Sequence, residues 1–134
     1  AYLFGSLTAL NVININNLNE NISSFFFCGL LFYLFFEVFF SFFRKLLQRK
    51  NPLKPDRRHL HMLLYNFLKK VKNIKGSNYI TSLVINISYL ILVIPFYYFR
   101  HNTLFCKFWF FLMLFFYLTS YFIINKKNKK ILND

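Results

Sequence analysis

The sequence is short of acidic residues and of cysteine. Four acids stand against 17 Lys and Arg, which gives a formal net charge of +13 at pH 7 and favours anionic partners. The two cysteines, Cys28 and Cys106, lie inside apolar runs without companion ligands, so they are expected to pack as small hydrophobic residues and not to bind metal. The start lacks a Met, a basic n-region and a cleavage site, so we predict no signal peptide and interpret the chain as a fragment.

Apolar and aromatic residues are abundant instead. Hydrophobic residues make up 57% of the chain and aromatic residues 23%, with 21 Phe among 134 residues. A soluble domain of this size could not bury so much apolar surface, so the composition predicts a membrane protein. The basic residues lie between the apolar runs, which favours membrane phosphates and phosphorylated substrates as partners and argues against nucleic acid.

Three apolar runs are long enough to cross a bilayer as helices, which takes about 20 residues. They cover 24–43, 79–99 and 104–124. The run 1–13 is too short to span and begins at the first residue, as a truncated spanning helix would. The prediction is one all-α integral membrane unit over 1–134, with three complete transmembrane helices and one truncated helix.

The segments between these runs differ in charge, and this difference predicts the orientation. Residues 44–78 carry eleven basic side chains, and the tail 125–134 carries four lysines. By the positive-inside rule, both the loop and the tail are expected on the cytoplasmic side. Two spans between them make that arrangement self-consistent.

The basic loop contains a helical pattern. Apolar residues recur at steps of three and four, which predicts an amphipathic helix lying on the membrane surface with its basic face toward water and headgroups. Asp56 follows Pro55 and is placed to cap this helix. The apolar positions are Leu60, Leu63, Leu64, Phe67, Leu68 and Val71.

The stretch 51–61 packs two prolines, one acid, three basic residues and two histidines between membrane helices. Arginine offers a fork of donors that suits phosphate oxygens, and histidine can donate to phosphate or carry a proton near neutral pH. The plainer interpretation of His59 and His61 is interfacial histidines that touch only headgroups. A zinc site is not expected, because two histidines and one Asp leave a tetrahedral site short of ligands.

The order of residues in this stretch resembles the polyprenyl-phosphate N-acetylhexosamine-1-phosphate transferase family, which includes the undecaprenyl-phosphate GlcNAc-1-phosphate transferases. Ala1 to Gly5 also resembles the residues after that family's Gly-Asp-x-Gly motif, and the resemblance extends to about Leu68. Met62 departs from the family's usual histidine, and Glu37 replaces the commoner aspartate. The matching segments are Phe35-Phe36-Glu37, Arg44-Lys45, Asn51-Pro52, Pro55-Asp56-Arg57 and His59-Leu60-His61.

This resemblance implies a parent enzyme of the bacterial inner membrane that initiates cell-envelope polysaccharide synthesis. It would bind a UDP-amino sugar with Mg²⁺ on the pyrophosphate, and polyprenyl phosphate would attack the sugar-linked phosphorus and release UMP. Arg57, His59 and His61 would contact the pyrophosphate or the uridine, and Asp56 would orient them. The polybasic helix would hold anionic lipid. The Mg²⁺ ligands would precede Ala1, so the fragment alone is expected to be inactive.

Several alternatives stay open at this point. Glu37, a carboxylate within an apolar run, is costly in hydrocarbon, so it is either a structural partner or a substrate contact. The chain could also be a noncatalytic membrane subunit or carrier whose basic loop binds anionic lipid or an acidic partner. Which sugar is transferred, which polymer it starts and whether the parent enzyme is a homodimer are not decided by the sequence.

Overall fold

A computed structural model of the chain describes residues 2–52, 54, 56, 58–71 and 76–133. This part of the chain is helical and contains no strand, so the all-α prediction is confirmed. The helices are α1 Tyr2–Leu18, α2 Ser24–Leu30, α3 Phe32–Leu47, α4 Leu60–Val71, α5 Ser77–Tyr98 and α6 Thr103–Asn133.

Two of the described helices are long and apolar enough to cross a membrane. They are α5, with a mean hydropathy of 2.0, and the stretch Thr103–Lys129 of α6, with a mean hydropathy of 1.7. The pair α2 and α3 qualifies only as one broken span, because the two helices are bent by 73°. The described residues therefore contain two candidate membrane spans, or three if the bent pair is one, and the single helix predicted over 24–43 is divided into two helices.

The break between α2 and α3 is held by side chains from α5. The Tyr89 hydroxyl lies 2.8 Å from the Gly29 carbonyl and 2.6 Å from the Leu30 carbonyl and donates to them. This satisfies carbonyl groups that a broken helix leaves free, which lipid could not do. Gly29 also lies against the buried ring of Phe96, where a Cβ atom would come within 2.6 Å of the ring. The close approach explains why the residue beside the break is glycine.

The amphipathic helix predicted in the basic loop is present as α4, but its apolar face meets protein. Leu60, Leu63 and Leu68 are buried, and α4 packs on α5 and α6. Lys69 is exposed on the opposite face, whereas Lys70 is exposed beside Leu63, at the edge of α4 that faces α6. The surface that covers the buried leucines of α4 is therefore that of α5 and α6, and the location of α4 at the membrane surface stays a prediction.

The last helix is longer than a span and reaches the loop. Its 31 residues correspond to about 46 Å at helical rise, against about 30 Å of hydrocarbon. The predicted tail is therefore a continuation of α6 as far as Asn133. Beyond the apolar part, Asn128 Nδ2 donates to the Leu63 carbonyl at 2.9 Å, and Lys127 Nζ lies 5.6 Å from the Phe67 ring centre. These contacts attach α4 to the end of α6.

Candidate functional site

A polar stripe runs along one face of the aromatic helix α3. Glu37, Ser41 and Arg44 are spaced four and three residues apart, so their side chains share a face. Glu37 and Ser41 are buried, and the Arg44 side chain is 11% exposed. The sequence predicted a role for Glu37 alone, since Arg44 was named only as part of the motif and Ser41 was not named. The i, i+4, i+7 spacing of polar residues among phenylalanines is the signal that would have identified the other two.

Glu37 is the carboxylate that caps α4. Its Oε1 accepts the Leu60 N–H at 2.7 Å, and the His59 carbonyl accepts the Leu63 N–H at 2.9 Å, which makes His59 the residue before the first turn. A negative charge at this position is favourable because the first N–H groups of a helix lack partners and its dipole is positive there. The predicted cap, Asp56, is wrong, since its carboxylate is engaged elsewhere.

Both histidines of the sequence motif turn toward the same carboxylate. His59 Nδ1 lies 3.7 Å and His61 Nδ1 3.5 Å from Glu37 Oε1, and the two rings are parallel with centres 5.6 Å apart. The side chains are 27% and 49% exposed. Because Nδ1 of each ring faces Glu37, Nε2 lies on the opposite edge. Nε2 of each ring therefore points away from Glu37.

Asp56, in the loop after α3, belongs to a second cluster. Its partners on α3, Ser41 and Arg44, lie about one and two turns beyond Glu37. Asp56 forms an ion pair with Arg44, accepts from Ser41 Oγ at 2.6 Å and accepts the Arg58 N–H at 2.9 Å. Burial raises the pKa of Asp56, but these two hydrogen bonds and the Arg44 and Lys45 charges outweigh it and hold the pKa below its ordinary value of 3.8. Asp56 thus contacts Arg44 and not the histidines that it was predicted to orient.

Arg44 connects this cluster to the rest of the fold. Its Nη1 donates to the Arg58 carbonyl at 2.9 Å and to the Tyr121 hydroxyl at 2.5 Å. Its guanidinium also lies 5.2 Å from the centre of the Tyr121 ring, within range of a cation–π contact. One side chain therefore ties the loop to α3 and to α6.

Two cavities border these clusters. The basic cavity, of about 490 Å³, is lined by Arg44, Lys45, Lys50, Lys54, Asp56 and Arg58 among others. The α4–α5 cavity, of about 560 Å³, has His61 in its wall, together with Tyr33, Tyr65, Asn78, Ser82 and Asn86. The predicted site residue Arg57 lies outside the described residues. The structure thus brings His59 and His61 together on Glu37 and places Asp56 apart, at the basic cavity.

The described side chains do not fit a magnesium ion. Mg²⁺ prefers oxygen ligands in octahedral geometry. Glu37 is engaged by the N-terminus of α4 and Asp56 by Arg44, which leaves imidazole nitrogens as the free donors. Within the described ranges there is also no group of three or more His, Cys, Asp or Glu residues placed to hold a metal ion.

Comparisons with known proteins found no relative that could assign roles to these residues. No protein-family model, curated protein or solved structure matches the chain. The resemblance described above therefore rests on motif residues alone, and the geometry of Glu37, His59 and His61 has to be interpreted by its chemistry.

Proposed function

We propose that the chain is the C-terminal part of a membrane transferase that moves an N-acetylhexosamine 1-phosphate from a UDP-sugar to polyprenyl phosphate and releases UMP. The observation that supports this proposal most is the buried Glu37, which holds His59 and His61 side by side at the N-terminus of α4. The motif in which these histidines occur resembles that of enzymes with this activity.

The two histidines would act on the pyrophosphate of the donor. Protonated imidazoles are suitable donors to phosphate oxygens. In phosphoryl transfer the protein contributes mainly positioning and charge stabilisation, so fixed rings are more useful than mobile ones. Glu37 lies beside Nδ1 of both rings, so it would orient them when they are protonated and leave Nε2 to face the substrate. The role of Arg57 as a further phosphate donor rests on the motif.

The basic cavity would concentrate anions beside this site. Lys50, Lys54 and Arg58 line it, while Asp56 is already neutralised by Arg44. Cationic clefts raise the local concentration of anionic substrates and attract anionic headgroups. We place this loop and the end of α6 on the cytoplasmic side of a bacterial inner membrane, in agreement with the excess of basic residues in both segments.

Magnesium, which the resemblance implies, would come with ligands from the part of the enzyme that precedes Ala1. It would neutralise phosphate charge when bound. The residues described here bind and orient the donor in this proposal, and none of their roles depends on direct contact with the ion.

The proposal is tested by replacing the histidines in the complete gene product. With membranes, a UDP-N-acetylhexosamine and polyprenyl phosphate, His59→Ala and His61→Ala should each lower UMP release about 100-fold or more, as loss of a transition-state donor does. Membrane insertion should be unchanged.

His101 provides a matched control. It lies between α5 and α6, where its Nδ1 is 3.0 Å from the Asn21 carbonyl, and His101→Ala should keep full activity. Normal UMP release from both loop variants would remove the histidines from the site. A wild-type protein that releases no UMP but binds anionic vesicles through the loop would support the noncatalytic alternative instead.

A further inference from the structure

The first half of α5 carries a polar face that the fold leaves largely uncovered. Asn78, Thr81, Ser82 and Asn86 follow helical spacing along a helix that is otherwise apolar enough to span. Asn78, Ser82 and Asn86 are exposed. Asn86 Nδ2 donates to Ser82 Oγ at 3.2 Å within the same helix. Amide groups inside a membrane are costly unless they face protein, water or a ligand, so this face indicates a function.

The polar face forms one wall of the α4–α5 cavity. His61 and Tyr65 of α4 contribute the opposite wall, and Tyr33 of α3 also borders it. The volume of about 560 Å³ lies within the range of small-molecule sites. No Lys, Arg, Asp or Glu is found among the described residues that line it. The cavity therefore offers amides, hydroxyls and aromatic rings beside a single imidazole.

We propose that the sugar ring of the nucleotide sugar occupies the α4–α5 cavity, an inference that rests on the proposed transferase function. Neutral amide and hydroxyl groups match the hydroxyl and acetamido groups of an N-acetylhexosamine, which carry no charge. The edge of His61 that bears Nε2 faces away from Glu37, so His61 holds the sugar-linked phosphate at the rim while Ser82 and Asn86 contact the ring.

A neighbouring transmembrane helix is the rival occupant, because small polar residues also join helices in membranes. The shape of the site favours a ligand. α4, α5 and Tyr33 line a concave, partly open space with His61 in its wall, where a small ligand contacts both helices at once. A cysteine placed in the cavity distinguishes the two occupants.

The first experiment measures access to the cavity in the complete membrane enzyme. Asn86→Cys is made in a Cys28→Ser background, since Cys28 is exposed whereas Cys106 is fully buried. UDP-N-acetylglucosamine and UDP-N-acetylgalactosamine are tested separately, and at least one should slow maleimide labelling about fivefold when present at about four times its Kd. UDP alone should not protect. Ser88→Cys, on the same helix but bordering another cavity, should label at the same rate with and without nucleotide.

The second experiment measures kinetics. Ser82→Ala and Asn86→Ala should each raise KM for the UDP-sugar about three- to tenfold, the worth of one hydrogen bond, and leave KM for polyprenyl phosphate unchanged. Ser88→Ala is the matched control and should behave as wild type.

Each other outcome overturns the inference in a recognisable way. Equal protection by UDP would assign the cavity to the nucleotide. Labelling of Asn86→Cys that is blocked without any nucleotide would assign it to a helix contact. If no nucleotide sugar slows labelling but His59→Ala still loses UMP release, the sugar subsite is wrong and the proposed function stands. If the wild type releases no UMP from either nucleotide sugar, both the subsite and the proposed function are wrong.

Discussion

The two ends of the helix bundle are closed in different ways. At the hairpin end, formed by residues 19–23 and 99–102, backbone groups make the closing contacts. The Ser23 N–H donates to the Arg100 carbonyl at 2.9 Å, and His101 Nδ1 lies 3.0 Å from the Asn21 carbonyl. The acidic residue at this end, Glu20, is exposed. The helices at the hairpin end are therefore joined without a buried charged side chain.

The loop end, formed by residues 48–59 with the adjoining ends of α3, α4 and α6, uses charge instead. All contacts between basic and acidic side chains in the described ranges lie here, and they involve Glu37 and Asp56. Two histidines share a buried carboxylate at this end, whereas His101 meets a backbone carbonyl at the other. Because closure alone does not require buried charge, the charge at the loop end agrees with the proposal that this end meets an anionic ligand.

The strongest test of this comparison removes the arginine at each end. Arg44→Ala removes the cation that is paired with Asp56 and should destabilise the attachment of the loop by about 3 kcal/mol, the lower end of the cost of breaking a buried pair, because both side chains are 11% exposed and the Lys45 charge remains. Arg100→Ala should cost less than about 1 kcal/mol, since the Arg100 side chain contacts the nearby Tyr97 carbonyl and ring, and the Arg100 carbonyl that accepts the Ser23 N–H is kept in the variant. Hydrogen exchange of residues 48–52 in detergent micelles measures the difference. Similar exchange in both variants would contradict the contrast between the ends.

The two glutamates provide the next test. Glu37→Ala leaves the Leu60 N–H without its acceptor and should destabilise the start of α4 by about 1.5–3 kcal/mol. Glu20→Ala, at the exposed position, should have no measurable effect. Hydrogen exchange in the first turn of α4 reports the change, and Glu37→Asp should restore part of it. If Glu20→Ala disturbed α4 as strongly, the assignment of Glu37 as its cap would be wrong.

Packing, not charge, should dominate toward the other end of the bundle. Gly29→Ala places a methyl group within 2.6 Å of the buried Phe96 ring and should destabilise the fold by about 1–3 kcal/mol. Gly5→Ala meets no atom within 4 Å and serves as the control. Thermal unfolding in micelles measures both variants. The loss in Gly29→Ala should be independent of salt, and a salt-dependent loss would show that charge matters there too.

Much of this architecture could be predicted from the sequence, because apolar runs and charge density report directly on helices in lipid. The α4 helix followed from apolar residues at helical spacing, and α5 from an uninterrupted apolar run. The break at Leu31 was not predicted. It depends on Tyr89, about 60 residues away, whose hydroxyl donates to the free carbonyls, and on Phe96, whose ring packs closely against Gly29. A window of consecutive residues does not contain such partners.

The candidate site was predicted only in part, again because some of its partners are distant in the sequence. The local motif identified His59 and His61, but the partner that orients them, Glu37, comes from another helix. Asp56 was taken as the cap because it is near α4 in sequence, whereas Arg44 and Ser41 engage its carboxylate in space. Competition between acceptors is decided by tertiary contacts, so neither assignment could be read from proximity along the chain.

The smallest expected effect is a loosening of the loop end in acid. The pKa of Asp56 in the folded protein lies below its ordinary value of 3.8, so its contribution to stability is complete above that value and is lost as pH falls through the lower folded pKa. The Ser41 contact persists when the carboxyl is protonated, but the attraction to Arg44 disappears. Exchange of residues 48–52, corrected for the intrinsic rate, should therefore rise below about pH 4.

Asp56→Asn isolates this effect from other titrations, because it keeps the size of the side chain and removes only the charge. Its loop should exchange faster than wild type at pH 7, and the two proteins should converge as the pH falls below 3.8. Amides of residues 19–23 should show no such convergence, since their contacts involve Ser23, Arg100 and Asn21 backbone groups. If the amides of residues 19–23 exchanged faster over the same pH range in wild type but not in Asp56→Asn, Asp56 would support both ends of the bundle. The contrast between a charged end and a neutral end would then be wrong.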